Sequence, residues 1–160
     1  MANLSELGPS GGTGGNSGDT DSDAGFIQPN SRVTNVLLTF DDTNHHALES
    51  VRFVHDGATG LLPHHGGGAH EETNVHLNPG EHITKISGTY NKDGDKGPFV
   101  TSVQIETTTG ANNTTVPPGG VTDGAKYTYA APDNFEVVGF FGRSGSLIDA
   151  IGVVVRKIGA

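Results

Sequence analysis

Gly145-Ser146-Leu147-Ile148-Asp149 sets a carboxylate just behind a tight glycine turn. Backbone N–H groups in such a turn have no ladder partner and are free to donate to ligand oxygens. An ionised carboxylate is acceptor-only and takes protons from O–H groups. Together they form a hydroxyl-binding arrangement, which holds a sugar without a metal. A second stretch of open backbone is Gly11-Gly12-Thr13-Gly14-Gly15-Asn16-Ser17-Gly18, followed by Asp19, Asp21 and Asp23. Its glycines either let backbone approach a ligand closely or make a linker. No Lys-Ser or Lys-Thr follows, and Ser17 stands where G-x-G-x-x-G requires its third glycine, so nucleotide binding is unsupported.

The elements that must position these residues read as strands. Val137 to Phe141 and Leu147 to Val155 are apolar and β-prone on either side of a turn at Gly142 to Ser146. The same unit occurs at Arg32 to Phe40 with Ala47 to His55, and at Glu81 to Tyr90 with Phe99 to Thr107. Superposed, Glu49-Ser50-Val51, Thr101-Ser102-Val103 and Asp149-Ala150-Ile151 are equivalent, each behind an apolar residue (Leu48, Val100, Ile148). Each earlier strand carries an apolar pair three apart: Val33 and Val36, Ile83 and Ile86, Val137 and Phe140. Three strand–turn–strand repeats imply three sheets around an approximate threefold axis. Val75 to Leu77 and Ala125 to Tyr129 are the expected outer strands, and no helix is expected.

Composition agrees with an all-β fold: Gly 25 and Pro 8 in 160 residues point to short strands joined by turns. The length predicts one domain, residues 11–160, behind an N-terminal extension at 1–10. With no Cys there is neither a disulfide nor a thiolate ligand. Nine basic against 18 acidic residues repel phosphate backbones and anionic membranes, so neither nucleic acid nor membrane insertion is expected. The first residues lack a basic and apolar leader, from which a cytoplasmic location, or export without a classical signal peptide, is expected.

Other chemistries fit poorly. His45-His46, His64-His65 and His70 raise a metal site, but adjacent His on an extended chain point to opposite faces, and an exposed glycine-rich loop explains them as well. No metal and no cofactor is therefore expected. Gly142-Arg143-Ser144-Gly145-Ser146 has Ser146 where a nucleophile elbow requires glycine, and Asp149 has no second carboxylate beside it for glycoside hydrolysis. No catalytic residue is assigned, and an enzyme is not expected.

The run V-V-G-F-F-G-R-S-G-S-L-I-D-A-I-G-V-V-V, with Gly8-Pro9 and G-G-T-G-G upstream and E-H-I-T-K-I-S-G between, resembles the jacalin-related lectins from about Gly8 to Val155. The resemblance implies a β-prism of three four-stranded Greek-key sheets around a pseudo-threefold axis. It implies a sugar site made of Gly14 and Gly15 with Gly145, Ser146, Leu147 and Asp149. There the Gly15 amide donates to a ring hydroxyl, and the Ser146 and Leu147 amides donate to ring and exocyclic oxygens. Asp149 accepts from the 4- and 6-hydroxyls. G-x-x-x-D also occurs at Gly15–Asp19 and Gly119–Asp123, but only the third match opens a strand after a hairpin turn. At the equivalent positions the first repeat has His45 and Glu49 and the second Gly97 and Thr101, so one complete site is expected, with Glu49 the candidate for a second.

No aromatic residue lies inside Gly145–Asp149, and the glycine loop follows an uncleaved extension. Both features resemble the mannose/glucose-binding subgroup rather than the galactose-binding one. The expected function is metal-independent recognition of mannose-containing glycans, high-mannose in type, by a homodimer or higher homo-oligomer. A galactose-binding lectin of the same fold and a β-prism that binds no sugar are the alternatives.

Overall fold

The computed structural model describes residues 4–12, 20–57, 60–68, 70–91 and 98–159. They form three antiparallel four-stranded sheets. In the first, β1 (Leu4–Gly11), β12 (Ile148–Lys157), β11 (Phe135–Ser144) and β2 (Asp21–Ser22) lie side by side. The second runs β5 (His65–Gly66), β4 (Ala47–His55), β3 (Val33–Asp41), β6 (Glu72–His76), and the third β9 (Thr114–Val116), β8 (Val100–Thr107), β7 (Ile83–Tyr90), β10 (Ala125–Ala130). One register pair, Val137 with Ile83, joins the first sheet to the third. Among the described residues a single 3-10 turn, at Ala24–Phe26, interrupts the strands, and no helix is long and apolar enough to cross a membrane.

The threefold repeat is written in the register. In each central hairpin one residue is skipped near the start of the first strand, at Thr34, Thr84 and Val138, and one near the start of the second, at Glu49, Thr101 and Asp149. A bulge inserts one residue and shifts the side-chain alternation by one. Apolar spacing of three across it therefore keeps both residues on one face. Val33 and Val36, Ile83 and Ile86, Val137 and Phe140 are all at most 3% exposed, as are Leu48 and Val51, Val100 and Val103, Ile148 and Ile151. These residues converge on one core along the axis, joined by Leu38, Phe53, Val75, Leu77, Ile105 and Val153.

The boundary expected after residue 10 falls inside a strand. Leu4–Gly11 pairs with β12, Leu7 against Val153 and Ser10 against Ile151, with an irregularity between them at Gly8-Pro9. That break spoils the period-two pattern of a short edge strand, so the segment reads as an extension. The last hairpin also turns later than expected: β11 runs on to Ser144, and only Gly145–Leu147 remain as turn.

Candidate carbohydrate-binding site

The third hairpin closes through the Gly145 N–H, which donates to the Leu147 carbonyl at 2.9 Å. Ile148 is fully buried and anchors the start of β12, Leu147 is 9% exposed, and Ser146 stands out in solvent. The skipped residue Asp149 is half-buried. Burial pushes its carboxyl above the ordinary carboxylate value, and the Arg143 guanidinium and its own N–H pull it part of the way back. Arg143 lies on β11 opposite Ala150. A carboxylate in this setting, beside a turn and a cation, is an acceptor for hydroxyl protons.

β1 brings the start of the glycine loop to the same place. Gly11 pairs with Ala150, and the Gly12 N–H donates to the Asp149 carbonyl at 2.8 Å. A Cβ on Gly11 would strike the Asp149 carbonyl oxygen, and one on Gly12 the Pro98 carbonyl, so close backbone approach requires glycine at both. Gly14 and Gly15 lie outside the described residues, as does the chance match Gly15–Asp19. The match at Gly119–Asp123 falls in the connection between β9 and β10, away from any central hairpin.

The other two hairpins have closed their equivalents. Glu49 is 5% exposed, and its carboxylate accepts from Thr39 Oγ1 at 2.9 Å, the His70 N–H at 3.2 Å and His70 Nδ1 at 2.9 Å. Burial pushes this carboxyl up, but those bonds outweigh it and the net shift is downward. In the second hairpin Thr101 exchanges a 2.7 Å bond with Thr89. Thr39, Thr89 and Arg143 occupy one repeat position, each facing the skipped residue of its own hairpin. Thr39 turns its hydroxyl onto Glu49 and Thr89 its hydroxyl onto Thr101, whereas Arg143 supplies a charge beside Asp149. Arg143 was not a candidate from sequence, and its signal was this register position.

The histidines expected in an exposed loop divide: His45, His46 and His64 are exposed, whereas His65 and His70 are drawn in. His65 is 6% exposed, bonds Asp23 Oδ1 at 2.7 Å and stacks on Phe140 with centroids 4.3 Å apart. Asp23, read as part of an acidic tract, is fully buried and also accepts the Phe140 N–H at 2.8 Å. It ties β5 to β11 and has no role at the turn. His45 bonds Asp41, and His70 bonds Glu49. Among the described residues no group of three or more His, Asp or Glu is placed to hold a metal ion. The loop around these histidines still reaches the site: a Cβ on Gly67 would lie 2.6 Å from the Ser146 carbonyl oxygen.

Three four-stranded sheets on a pseudo-threefold axis, with a glycine loop led to a G-x-x-x-D turn, define a β-prism lectin domain. Residues 7–154 match the family model of the jacalin-like lectin domain. The chain belongs to that family of lectin domains. It is similar to the mannose/glucose-specific lectin of Parkia platycephala, 34% identical over 155 residues, covering 94% of this chain and 31% of the relative. Thus it spans about a third of that protein's length. Horcolin of Hordeum vulgare is 29% identical over 160 residues, covering 97% of this chain and 99% of its own. Among solved structures, the mannose-binding lectin from Champedak superposes with a TM-score of 0.72 at 26% identity, covering 96% and 97% of the two chains. Artocarpin complexed with Me-alpha-mannose has a TM-score of 0.74 at 23% identity, which shows the shared fold.

Proposed function

We propose that the chain is a metal-independent lectin for mannose/glucose-type glycans, high-mannose glycans in particular, acting through Gly14 and Gly15 with Gly145, Ser146, Leu147 and Asp149. The observation that carries it is the bond from the Gly12 N–H to the Asp149 carbonyl, which brings the head of the glycine loop to the half-buried carboxylate. The turn offers backbone donors, Asp149 offers acceptors, and Arg143 favours the ionised form. The names of the Parkia and Champedak relatives support a lectin and support mannose as its ligand.

A monosaccharide exchanges water hydrogen bonds for similar ones and buries little apolar area, so each site binds weakly, and useful avidity requires several sites presented together. We place the chain in a homo-oligomer on that ground. Calorimetric titration with methyl α-mannoside and methyl α-galactoside, each with and without a chelator, tests the reading. Binding of the mannoside near one site per chain and unchanged by chelation is expected. Galactoside preference overturns the sugar assignment alone, and absence of binding to either overturns the site.

A further inference from the structure

Ser146 and Leu147 share one peptide group, so the direction of the Ser146 carbonyl sets that of the Leu147 N–H, which in a trans peptide points the opposite way. The Ser146 carbonyl abuts Gly67. A Cβ there would sit 2.6 Å from the carbonyl oxygen and 3.3 Å from Cγ of Glu49, so only a residue without a side chain fits between the turn and β4. Gly67 is held from below by its N–H, which donates to the Glu49 carbonyl at 3.0 Å. His70 returns to the same residue, its N–H and Nδ1 bonding the Glu49 carboxylate at 3.2 and 2.9 Å. Thr39 grips that carboxylate from β3 at 2.9 Å.

We propose that Gly67 is a positioning residue for the sugar-binding turn, orienting the Leu147 amide, and that the Glu49–His70 pair is the clasp that keeps it there. The inference rests on the sugar-site reading above for its effect on binding, and on geometry alone for its effect on the turn. The clasp responds to pH. His70 is faced by Glu49 from β4, by Asp41 of β3 at 3.4 Å and by Asp42 in the following turn, and Glu71 and Glu72 line the same cleft. The Thr43 hydroxyl lies 3.3 Å away. The bond to Glu49 holds the imidazolium and raises the His70 pKa above its ordinary 6.5. The charged clasp is complete below that unperturbed value and weakens as pH rises through the raised one.

Gly67→Ala adds one methyl against Ser146 at a position whose backbone is not in the left-handed region, so the change tests the contact rather than backbone strain. In the free protein, the amide resonance of Leu147 in a ¹H–¹⁵N spectrum should move in Gly67→Ala and in His70→Ala, while the spectrum of β7, β8 and β10 stays put. In calorimetry with methyl α-mannoside, Gly67→Ala should bind about tenfold more weakly, the worth of one misdirected hydrogen bond. Wild type should lose about twofold in affinity as pH rises through the His70 titration, the modest effect of a partly exposed ion pair. His70→Gln, which keeps a donor, should hold its affinity with a flat pH profile. An unmoved Leu147 resonance in Gly67→Ala overturns the positioning role, and a pH slope retained in His70→Gln overturns the clasp. Leu147 resonances that move in the variants, with a wild type that binds no mannoside, would leave the positioning role standing and overturn the sugar-site reading instead.

Discussion

Asp149→Asn separates recognition from folding. The change removes a negative charge and replaces an acceptor-only group with one acceptor and two donors. Two hydroxyl donors meet Asp149 in the proposed site, and the amide oxygen can still serve one of them. A hydrogen bond to a charged group contributes about 1.5–3 kcal/mol, so losing one weakens binding by about 10- to 150-fold. A monosaccharide held at about millimolar Kd has only about 4 kcal/mol in all, so the variant should fall below calorimetric detection. Stability moves the other way. Burial raises the Asp149 carboxyl above its ordinary 3.8, only partly offset by Arg143 and its own N–H. A group raised in the folded state contributes stability that is complete below its unfolded pKa and lost as pH rises through the folded one. At neutral pH ionised Asp149 therefore works against folding, and Asn does not. Calorimetry with methyl α-mannoside beside urea unfolding, both near neutral pH, reads the two effects. Mannoside affinity within about twofold of wild type, in a variant as stable as wild type or more so, would refute the reasoning.

Asp23→Ala strands His65 Nε2 and the Phe140 N–H in the core, and each buried polar group left without its partner costs about 1–3 kcal/mol; the urea midpoint should fall accordingly. Gly139→Ala places a Cβ 2.8 Å from Asp23 Cβ and 3.3 Å from Ile27 Cδ1, an overpacking that costs about 1–3 kcal/mol by the same assay. Acid should weaken the fold in two stages. Burial lowers His55 below 6.5 despite its bond to the Val138 carbonyl, so its stabilising neutral form is complete above 6.5 and is lost progressively below it. Burial pushes Glu81 up, but bonds from Thr107, the Asn78 N–H, Asn112 and Thr109 bring it down to about 2. Its contribution is complete above 4.5 and is lost as pH falls towards 2, so unfolding free energy measured against pH should show both limbs, and Glu81→Gln should flatten the second.

The hairpins were legible because their signals are local. Alternating apolar residues and turn glycines lie within a few positions of one another, and the spacing of three at Val33 and Val36 already contained the bulge that the register later showed. The same repeat pointed to Asp149 and correctly marked Glu49 and Thr101 as its equivalents. Edge strands were harder: β2 and β5 have two residues each, too few for any period, and β1 is broken at Gly8-Pro9. Their existence depends on the neighbours that pair with them.

The amino-acid sequence alone determined the all-β class, the threefold repeat and the carboxylate behind the last turn, because each is a pattern of residue types along a few contiguous positions. Only the tertiary structure decided how the polar residues divide between structure and surface. Asp23 and Asp149 are both acids beside glycine-rich chain, yet one is buried 2.7 Å from His65 and the other is left half-buried beside Arg143. Glu49 keeps its carboxylate, yet a histidine 21 residues away in sequence covers it. Such outcomes turn on which distant group arrives to satisfy a buried charge, and the requirement that it be satisfied is set by burial, which no stretch of chain possesses until the sheets have packed.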